Sequence, residues 1–308
     1  MRWPQTRWSQ TQWSQLSNSY DLAETNKKVG IYMALIRERD SKKLHIKSKL
    51  MGESLVSKSF LQSLEEKEPF KVYPNATVLK LGGQSITDYG SKALTPVLKE
   101  IVANAQEHKM LISTGGGTRS RHVYAIAMDM GLPTGIIAKL GQSVSEQNAL
   151  MISTLLGPYN GIKISQDDIP KLGLYFSQGC IPVIHGMPPY GYFEQLPAKG
   201  LLPPNRTDVG AYLLSEVLGT KQCIFVKDED GLYTDNPKVN SDVKFIPKVG
   251  VQELLEMDLD DLIIERGVLE MMKNARNVKQ IQIINGLKEG NITKALNGEH
   301  VGTIIFKD

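Results

Sequence analysis

Cysteine is scarce in this sequence, which has only two in 308 residues, Cys180 and Cys223. They lie far apart in the chain and form no Cys-X-X-Cys pair. This scarcity argues against a disulfide framework or a thiolate zinc site and fits a reducing compartment. Histidine is also rare, and its five residues are too scattered to make a histidine-rich metal site by spacing.

Long apolar runs and a dominant charge of one sign are missing as well. No stretch has the length of apolar residues needed to span a bilayer. The first residues, MRWPQTRWSQTQWSQ, lack the apolar centre of a secretory signal. The net charge of +3 is small for this length and gives no case for a nucleic-acid-binding surface. We therefore expect a cytoplasmic protein that binds neither a membrane nor a nucleic acid.

Residues 1–70 differ in composition from the rest of the chain. They contain the imperfect repeat TRWSQ and TQWSQ and all three tryptophans, and the Ser, Gln and Asn around them bury little apolar surface. We predict a polar N-terminal extension that is disordered, binds a partner subunit or precedes the true start. Residues 71–308 are predicted to form the folded domain, since hydrophobic residues make up 41% of the chain.

From Tyr73 onward, short β-branched runs alternate with segments of helical spacing. Predicted strands cover residues 77–81, 110–113, 181–184, 222–226, 280–284 and 303–306, and predicted helices cover residues 91–107, 119–130, 144–156, 209–218, 251–257 and 268–277. Buried strands separated by helices of this length predict an α/β fold with a mostly parallel sheet covered on both faces. Such sheets bind ligands at the carboxyl ends of their strands, where the glycine clusters of this chain lie.

The first glycine cluster follows the predicted strand 77–81. It reads KLGGQS, and it contains Lys80, Gly82, Gly83 and Gln84. A lysine at this position can reach a phosphate bound above the turn, and the glycines let backbone N–H groups approach that phosphate closely. The alternative is a simple turn beside a solvated strand lysine.

The second cluster follows the next strand and reads STGGGTRSRH. Its glycine run, Gly115, Gly116 and Gly117, leads into a helix whose N-terminus favours an anion. Arg119 and Arg121 add cationic groups suited to oxyanions. The alternative is a tight strand-to-helix turn with surface arginines.

A third strand end delivers an acidic turn with the sequence VKDEDGLYTDNPK. Its candidate residues are Lys227, Asp228, Glu229, Asp230, Gly231, Tyr233 and Pro237. The carboxylates of Asp228 and Glu229 are suited to hold Mg²⁺ on a triphosphate. Lys227 could neutralise a transferring phosphate, and Tyr233 could flank an adenine. An ordinary acidic surface turn is the alternative.

A fourth element, NRTDVGA, starts a helix with Thr207 or Asp208 as its cap. The plain interpretation is helix capping alone. The functional interpretation is that the helix start faces an anion and that Asp208 orients Lys80 or Lys227.

Together, KLGG, STGGG, RTDVGAYLL and VKDEDGLYTDNP have an order and spacing that resemble the amino-acid-kinase family, over about residues 73–308. The resemblance implies a three-layer αβα sandwich that binds ATP near the acidic turn. It implies that Lys80 and Lys227 contact the phosphates and that Asp208 organises the lysines. The glycine loops, Gln84, Arg119, Asp230, Gly231, Tyr233 and Pro237 are then nucleotide-binding candidates.

Within that family, the chain looks most like molybdenum storage proteins, in particular their beta-type subunits. The motifs that carry this likeness are NATVLKLGGQS, TRSRH, GMPPY, PPNRTD, NG at residues 285–286 and GEHVGTI. The resemblance implies a heterohexamer with a homologous alpha-type subunit, or a homo-hexamer. It also implies ATP hydrolysis that drives molybdate or tungstate into polyoxometalate clusters inside a protein cavity.

The sequence departs from this group at its expected cluster ligands. Histidines near the Pro-Pro-Tyr motif are expected of the alpha-type subunit, whereas here Gly191 follows Tyr190. Gln166, Lys171 and His185 are the candidate oxometalate contacts, by region alone. Two other functions stay open: a uridylate-kinase-like phosphotransferase, and a protein that binds the nucleotide without turnover.

Overall fold

The structure, a computed structural model, describes residues 68–308. The predicted extension over residues 1–70 therefore lies almost entirely outside the described residues, and its boundary stays a prediction. None of the described helices is both long and apolar enough to cross a membrane.

The centre of the fold is a sheet of eight strands, with a separate two-stranded hairpin beside it. The ten strands are β1 (Ala76–Leu81), β2 (Lys109–Thr114), β3 (Gly161–Lys163), β4 (Ile181–His185), β5 (Gln222–Lys227), β6 (Leu232–Tyr233), β7 (Phe245–Ile246), β8 (Lys248–Gly250), β9 (Gln280–Asn285) and β10 (Thr303–Phe306). The sheet order is β3-β4-β2-β1-β5-β9-β10-β8. Its neighbouring strands are parallel apart from the antiparallel pair β9–β10.

Helices cover both faces of this sheet. They are α1 (Ser91–Asn104), α2 (Gly117–Asp129), α3 (Thr134–Leu155), α4 (Leu172–Ser177), α5 (Thr207–Leu218), α6 (Val251–Glu256), α7 (Arg266–Met272) and α8 (Asn291–Leu296). One hydrophobic core joins the sheet to α4, α5, α6 and α7. A second core joins the opposite face to α1, α3 and α8. The predicted three-layer αβα sandwich with a mostly parallel sheet is confirmed.

The alternation of side chains along β1 and β5 decides where their lysines go. Leu79 and Leu81 of β1 lie in the core beneath α1, whereas Val78 lies in the core beneath α5. Because successive side chains of a strand point to opposite faces, Lys80 shares the α5 face with Val78. The same rule places Lys227 at the end of β5 on that face, in line with Phe225. Both lysines therefore face the start of α5.

Helix α3 begins at Thr134, well before the predicted residue 144. Gly135 and Gly141 lie inside this helix, although glycine usually destabilises a helix interior. At both positions the backbone packs closely against a neighbouring tyrosine. A Cβ on Gly141 would lie 1.9 Å from the Tyr124 hydroxyl of α2, and one on Gly135 would lie 2.1 Å from the Tyr192 carbonyl oxygen. Packing against these neighbours requires glycine at both positions, which explains why glycines lie inside this helix.

Candidate functional site

A cavity of about 730 Å³ opens at the carboxyl ends of β1, β2 and β5. These strands are neighbours in the sheet, so the three predicted clusters meet at one edge. The predicted residues that line the cavity are Lys80, Gly82, Gly83, Gln84, Gly115, Gly116, Gly117, Asp208, Lys227, Asp228, Glu229, Gly231, Tyr233 and Pro237. The sequence clusters therefore form one site.

Two buried lysines share one aspartate at the floor of this cavity. Lys80 forms an ion pair with one carboxylate oxygen of Asp208. Lys227 Nζ donates to the other, Oδ2, at 3.0 Å. Asp208 is the second residue of α5, so that helix brings it to the ends of two strands that are far from it in sequence. The hypothesis that Asp208 orients a lysine agrees with this geometry, which involves both lysines.

The two lysines hold Asp208 ionised despite its burial. Burial alone would raise the pKa of Asp208, but the charges of Lys227 and Lys80 outweigh it and hold that pKa well below its usual range. Burial lowers the pKa of Lys227, and the carboxylate of Asp208 opposes that shift. The triad contains two cations and one anion, which leaves an excess positive charge facing the cavity.

The two glycine loops touch each other above the triad. A Cβ on Gly83 would lie 2.1 Å from the backbone nitrogen of Gly117 and 2.9 Å from the carbonyl carbon of Gly115. Gly117 has φ +71°, a left-handed conformation that glycine adopts without strain. Side chains are thus kept out of this region, and backbone groups face the cavity directly.

The N-terminus of α2 has a partner within the chain. Asp88 Oδ2 accepts a hydrogen bond from the Thr118 backbone N–H at 2.6 Å. Asp88 lies on the short 3₁₀ turn Thr87–Tyr89 that follows the first glycine cluster. An aspartate here stabilises the positive end of the helix, a contact that the sequence analysis did not predict.

Lys238 holds the first two carboxylates of the acidic turn. It forms ion pairs with Asp228 and, at 3.5 Å between Nζ and Oε1, with Glu229. The Tyr89 hydroxyl also donates to Asp228 Oδ2, at 3.0 Å. Sequence reasoning gave no role to Lys238, because the lysine lies ten residues beyond Asp228 and reaches it only through the fold of the turn.

Two predicted nucleotide ligands lie outside the lining of this cavity. Asp230 is turned toward Lys288, whose Nζ lies 2.7 Å from its carboxylate, and it accepts from the Asn285 amide at 3.0 Å. The hydrogen bond from Lys288 is the main cause that lowers the pKa of Asp230. Asp230 therefore faces a neighbouring cavity of about 520 Å³.

Arg119 is the other predicted ligand that is turned away. Its guanidinium donates to Gln147 Oε1 at 3.2 Å and to Asn148, both on α3. Arg121, two residues further along α2, lines the cavity instead. Residues two apart lie on different faces of a helix, and α2 turns Arg119 toward its helical neighbour.

The three candidate oxometalate contacts are engaged separately. Gln166 donates to the Met187 carbonyl oxygen at 3.2 Å, and Lys171 pairs with Asp168 at 2.8 Å. Within residues 68–308, no hydrogen bond or ion pair joins these candidates to one another. The same part of the chain holds no group of three or more His, Cys, Asp or Glu side chains that could bind a metal ion.

His185 is buried at the end of β4. Its Nε2 lies 3.5 Å from the Gln142 amide nitrogen and 3.9 Å from Glu146 Oε1. Its Nδ1 has no partner among the described residues. Burial lowers the pKa of His185 to about 4, with Glu146 opposing the shift. The imidazole is therefore neutral at pH 7.

Arg206 and Glu265 are two further charged residues of the cavity wall that were not predicted from the sequence. Arg206 immediately precedes α5. Glu265 comes from a segment more than fifty residues later, and its carboxylate accepts hydrogen bonds from the backbone at the start of α5. No pattern in the sequence connects the two.

Residues 75–285 match the Amino acid kinase family, and the chain belongs to that family. One relative is the beta subunit of molybdenum storage protein from Azotobacter vinelandii, which is 46% identical over 256 residues, covering 83% of this chain and 95% of the relative. The likeness expected from the sequence motifs, to the family and to this subunit, is confirmed.

Uridylate kinases are more distant relatives. The Metallosphaera sedula uridylate kinase is 23% identical, covering 74% of this chain and 97% of the relative. The crystal structure of uridylate kinase from Archaeoglobus fulgidus aligns with a TM-score of 0.58 at 22% identity, covering 75% of this chain and 99% of that chain. This structural likeness supports the fold.

Proposed function

We propose that this chain binds ATP in the cavity at the ends of β1, β2 and β5 and hydrolyses it as a subunit of a molybdate or tungstate storage assembly. The observation that carries the nucleotide half of the proposal is the triad of Lys80, Asp208 and Lys227 beneath two glycine loops. The 46% identity to a molybdenum storage subunit supports the storage half.

A triphosphate suits the charge of this site. The triad has one more cation than anion, and both lysines are buried, which weakens the screening of their charges by water. Phosphate oxygens would supply the missing negative charge, and the glycine loops would bring backbone N–H groups to the same oxygens. Asp208 would fix both ammonium groups before the nucleotide binds, which is how a preorganised site stabilises charge that develops on a leaving phosphate.

The acidic turn fits Mg²⁺ that arrives with the nucleotide. Asp228 and Glu229 are two adjacent carboxylates at the cavity, and Mg²⁺ prefers one or two carboxylates completed by phosphate oxygens and water. Both carboxylates are paired with Lys238 in this structure. We therefore assign Lys238 the role of a competitor that the ion has to displace. Gly231, Tyr233 and Pro237 would line the nucleoside end.

The storage role requires other chains and a place for the cargo. We propose assembly with a homologous alpha-type subunit, or with further copies of this chain, as a hexamer. Gln166, Lys171 and His185 do not form a shared site in the isolated chain, so imidazole coordination by this chain is a minor part of the proposal. A polyoxometalate is a large anion, and amides and backbone N–H groups can hold it without direct coordination.

A uridylate-kinase-like phosphotransferase is the second candidate. The observation in its favour is that the cavity extends past Lys80 to Arg121 and Arg206, two guanidinium groups that could hold a second phosphate. A protein that binds the nucleotide without turnover is the third.

One assay separates these candidates. Phosphate release and ADP formation from Mg-ATP are measured with no addition, with molybdate and with UMP. Storage predicts phosphate release that molybdate stimulates and UMP leaves unchanged. UMP-dependent ADP formation without phosphate release would contradict storage and indicate a kinase. Nucleotide binding with neither product would indicate a binding protein.

A further inference from the structure

The first turn of α5 is capped by a residue from a distant part of the chain. Glu265 Oε2 accepts from the backbone N–H groups of Arg206 at 3.0 Å and Val209 at 3.2 Å, and Oε1 accepts from that of Asp208 at 3.2 Å. The helix has no side-chain cap of its own at Arg206. One carboxylate therefore satisfies three N–H groups that helix geometry leaves unpaired.

The contact between the two acidic residues runs in both directions. The Glu265 backbone N–H lies 3.4 Å from Asp208 Oδ2, the oxygen that also holds Lys227. Glu265 is in turn the residue before α7. It therefore ties the starts of two helices together directly behind the triad.

This carboxylate is kept close to a second anion at some cost. Burial raises the pKa of Glu265, and the charge of Asp208 raises it further, while Arg206 opposes both from 3.7 Å. An acidic residue in such a place needs compensation, which the three helix N–H groups and the guanidinium provide.

We propose that Glu265 is a positioning residue that holds Asp208 at the one place where its carboxylate reaches both Lys80 and Lys227. Asp208 lies in the turn that Glu265 caps, so loosening that turn would separate it from one lysine or the other. The catalytic consequence rests on the proposed ATP hydrolysis, whereas the coupling of Glu265 to Asp208 does not.

The chain supplies a matched control at the other end of the same helix. The Glu216 carboxylate accepts from the backbone N–H groups of Arg276 at 2.7 Å, Asn277 at 2.9 Å and Val278 at 2.7 Å. It therefore caps the same number of backbone groups with the same chemistry. It lies outside the cavity lining, so it measures the structural cost of losing such a carboxylate without touching the triad.

The first measurement compares ATPase kcat for Glu265→Ala and Glu265→Gln with that for Glu216→Ala, in the full chain. Glu265→Ala is expected to lower kcat about 100-fold, since a displacement of about 1 Å in a catalytic group costs about that much. Glu265→Gln keeps one of the two acceptor oxygens that the helix uses and is expected to recover part of the loss. Glu216→Ala is expected to lower the Tm by about as much as Glu265→Ala does and to leave kcat unchanged. Equal loss of kcat in the two alanine variants would overturn the proposal.

The second measurement uses no nucleotide, so it decides the proposal even if the wild-type chain proves to have no ATPase activity. Tm is determined for Asp208→Asn, Glu265→Gln and Glu216→Gln, and for the two doubles that contain Asp208→Asn. The Tm shifts are expected to be non-additive for Asp208 with Glu265 and additive for Asp208 with Glu216. Additive shifts in both doubles would refute the coupling. Absence of ATPase activity in the wild type with non-additive shifts would refute the proposed function alone.

Discussion

Replacement of Asp208 by asparagine is the sharpest test of the triad. The substitution keeps the shape of the side chain and removes its charge, so the buried Lys80 and Lys227 lose their direct ion-pair partner. Removing one partner of a buried ion pair costs about 3–5 kcal/mol. The apo variant is therefore expected to lose about that much of its free energy of unfolding at pH 7.

The pH dependence of this loss has a defined sign. In the wild type the pKa of Asp208 is lowered in the folded state, so its contribution is present above its unfolded pKa and is lost as the pH falls through the folded value. In the variant, the pKa of Lys227, already lowered by burial, falls further. The unfolded state then binds more protons than the folded state up to a pH of about 10, so the variant gains stability as the pH rises. The deficit should therefore stay constant from about pH 5 to neutral pH and shrink as the pH rises toward 9, and on the acid side it should shrink only below the unfolded pKa of Asp208, about 3.9.

Urea unfolding followed by far-UV circular dichroism, from pH 5 to pH 9, measures this difference directly. Asp129→Asn is the control, because Asp129 is exposed on α2 and a surface substitution changes the free energy of unfolding by about 0.5 kcal/mol or less. Added ATP should restore part of the stability of Asp208→Asn, since its phosphates replace the lost negative charge. A deficit no larger than that of the control, or one that grows toward pH 9, would show that Asp208 does not offset the charges of the two lysines.

Two further substitutions test the walls of the cavity. Gly83→Ala should weaken ATP binding at least 10-fold by calorimetry, because its Cβ would overlap the backbone of Gly117. The control Gly157→Ala should bind ATP normally, because its Cβ would meet no atom within 4 Å. Equal affinities of the two variants would contradict the contact between the glycine loops. Lys238→Ala should lower the Mg²⁺ concentration that gives half-maximal ATPase activity, because it frees the carboxylates of Asp228 and Glu229. An unchanged or higher Mg²⁺ requirement would show that Lys238 does not compete with the ion for these carboxylates.

The strands and the convergence of the glycine clusters were predictable because both follow from short-range rules. A parallel sheet places the ends of β1, β2 and β5 at one edge, whichever residues form the loops. Side-chain alternation then sends Lys80 and Lys227 to the same face. The prediction that Asp208 orients a lysine required only that a helix begin near that edge.

The supporting charges were not predictable because they come from segments with no periodic relation to the site. Glu265, Lys238 and Asp88 each reach their partner through tertiary packing of a turn or helix start. The orientation of Arg119 was not predictable for a related reason. Its position beside the glycine run suggested the cavity, but the contact between α2 and α3 turns its guanidinium to Asn148.

The same limit applies to the length of α3. Glycine is a poor helix former in isolation, and Gly135 and Gly141 therefore concealed the first part of the helix. Tertiary contacts at Tyr192 and Tyr124 leave no room for a Cβ at either position. The requirement for glycine comes from the neighbouring elements, which local sequence does not reveal.

Elemental analysis after loading tests directly whether ATP at this site drives molybdate storage. The purified chain, co-expressed with any alpha-type partner, is incubated with molybdate and either Mg-ATP or Mg-ADP, and is then gel-filtered. Lys227→Met is compared with Lys99→Met, which changes an exposed lysine on α1. We expect many molybdenum atoms per chain with ATP in the wild type and in Lys99→Met, and background levels with ADP and in Lys227→Met. Background molybdenum in every sample, or equal loading of Lys227→Met, would contradict storage driven by ATP at this site.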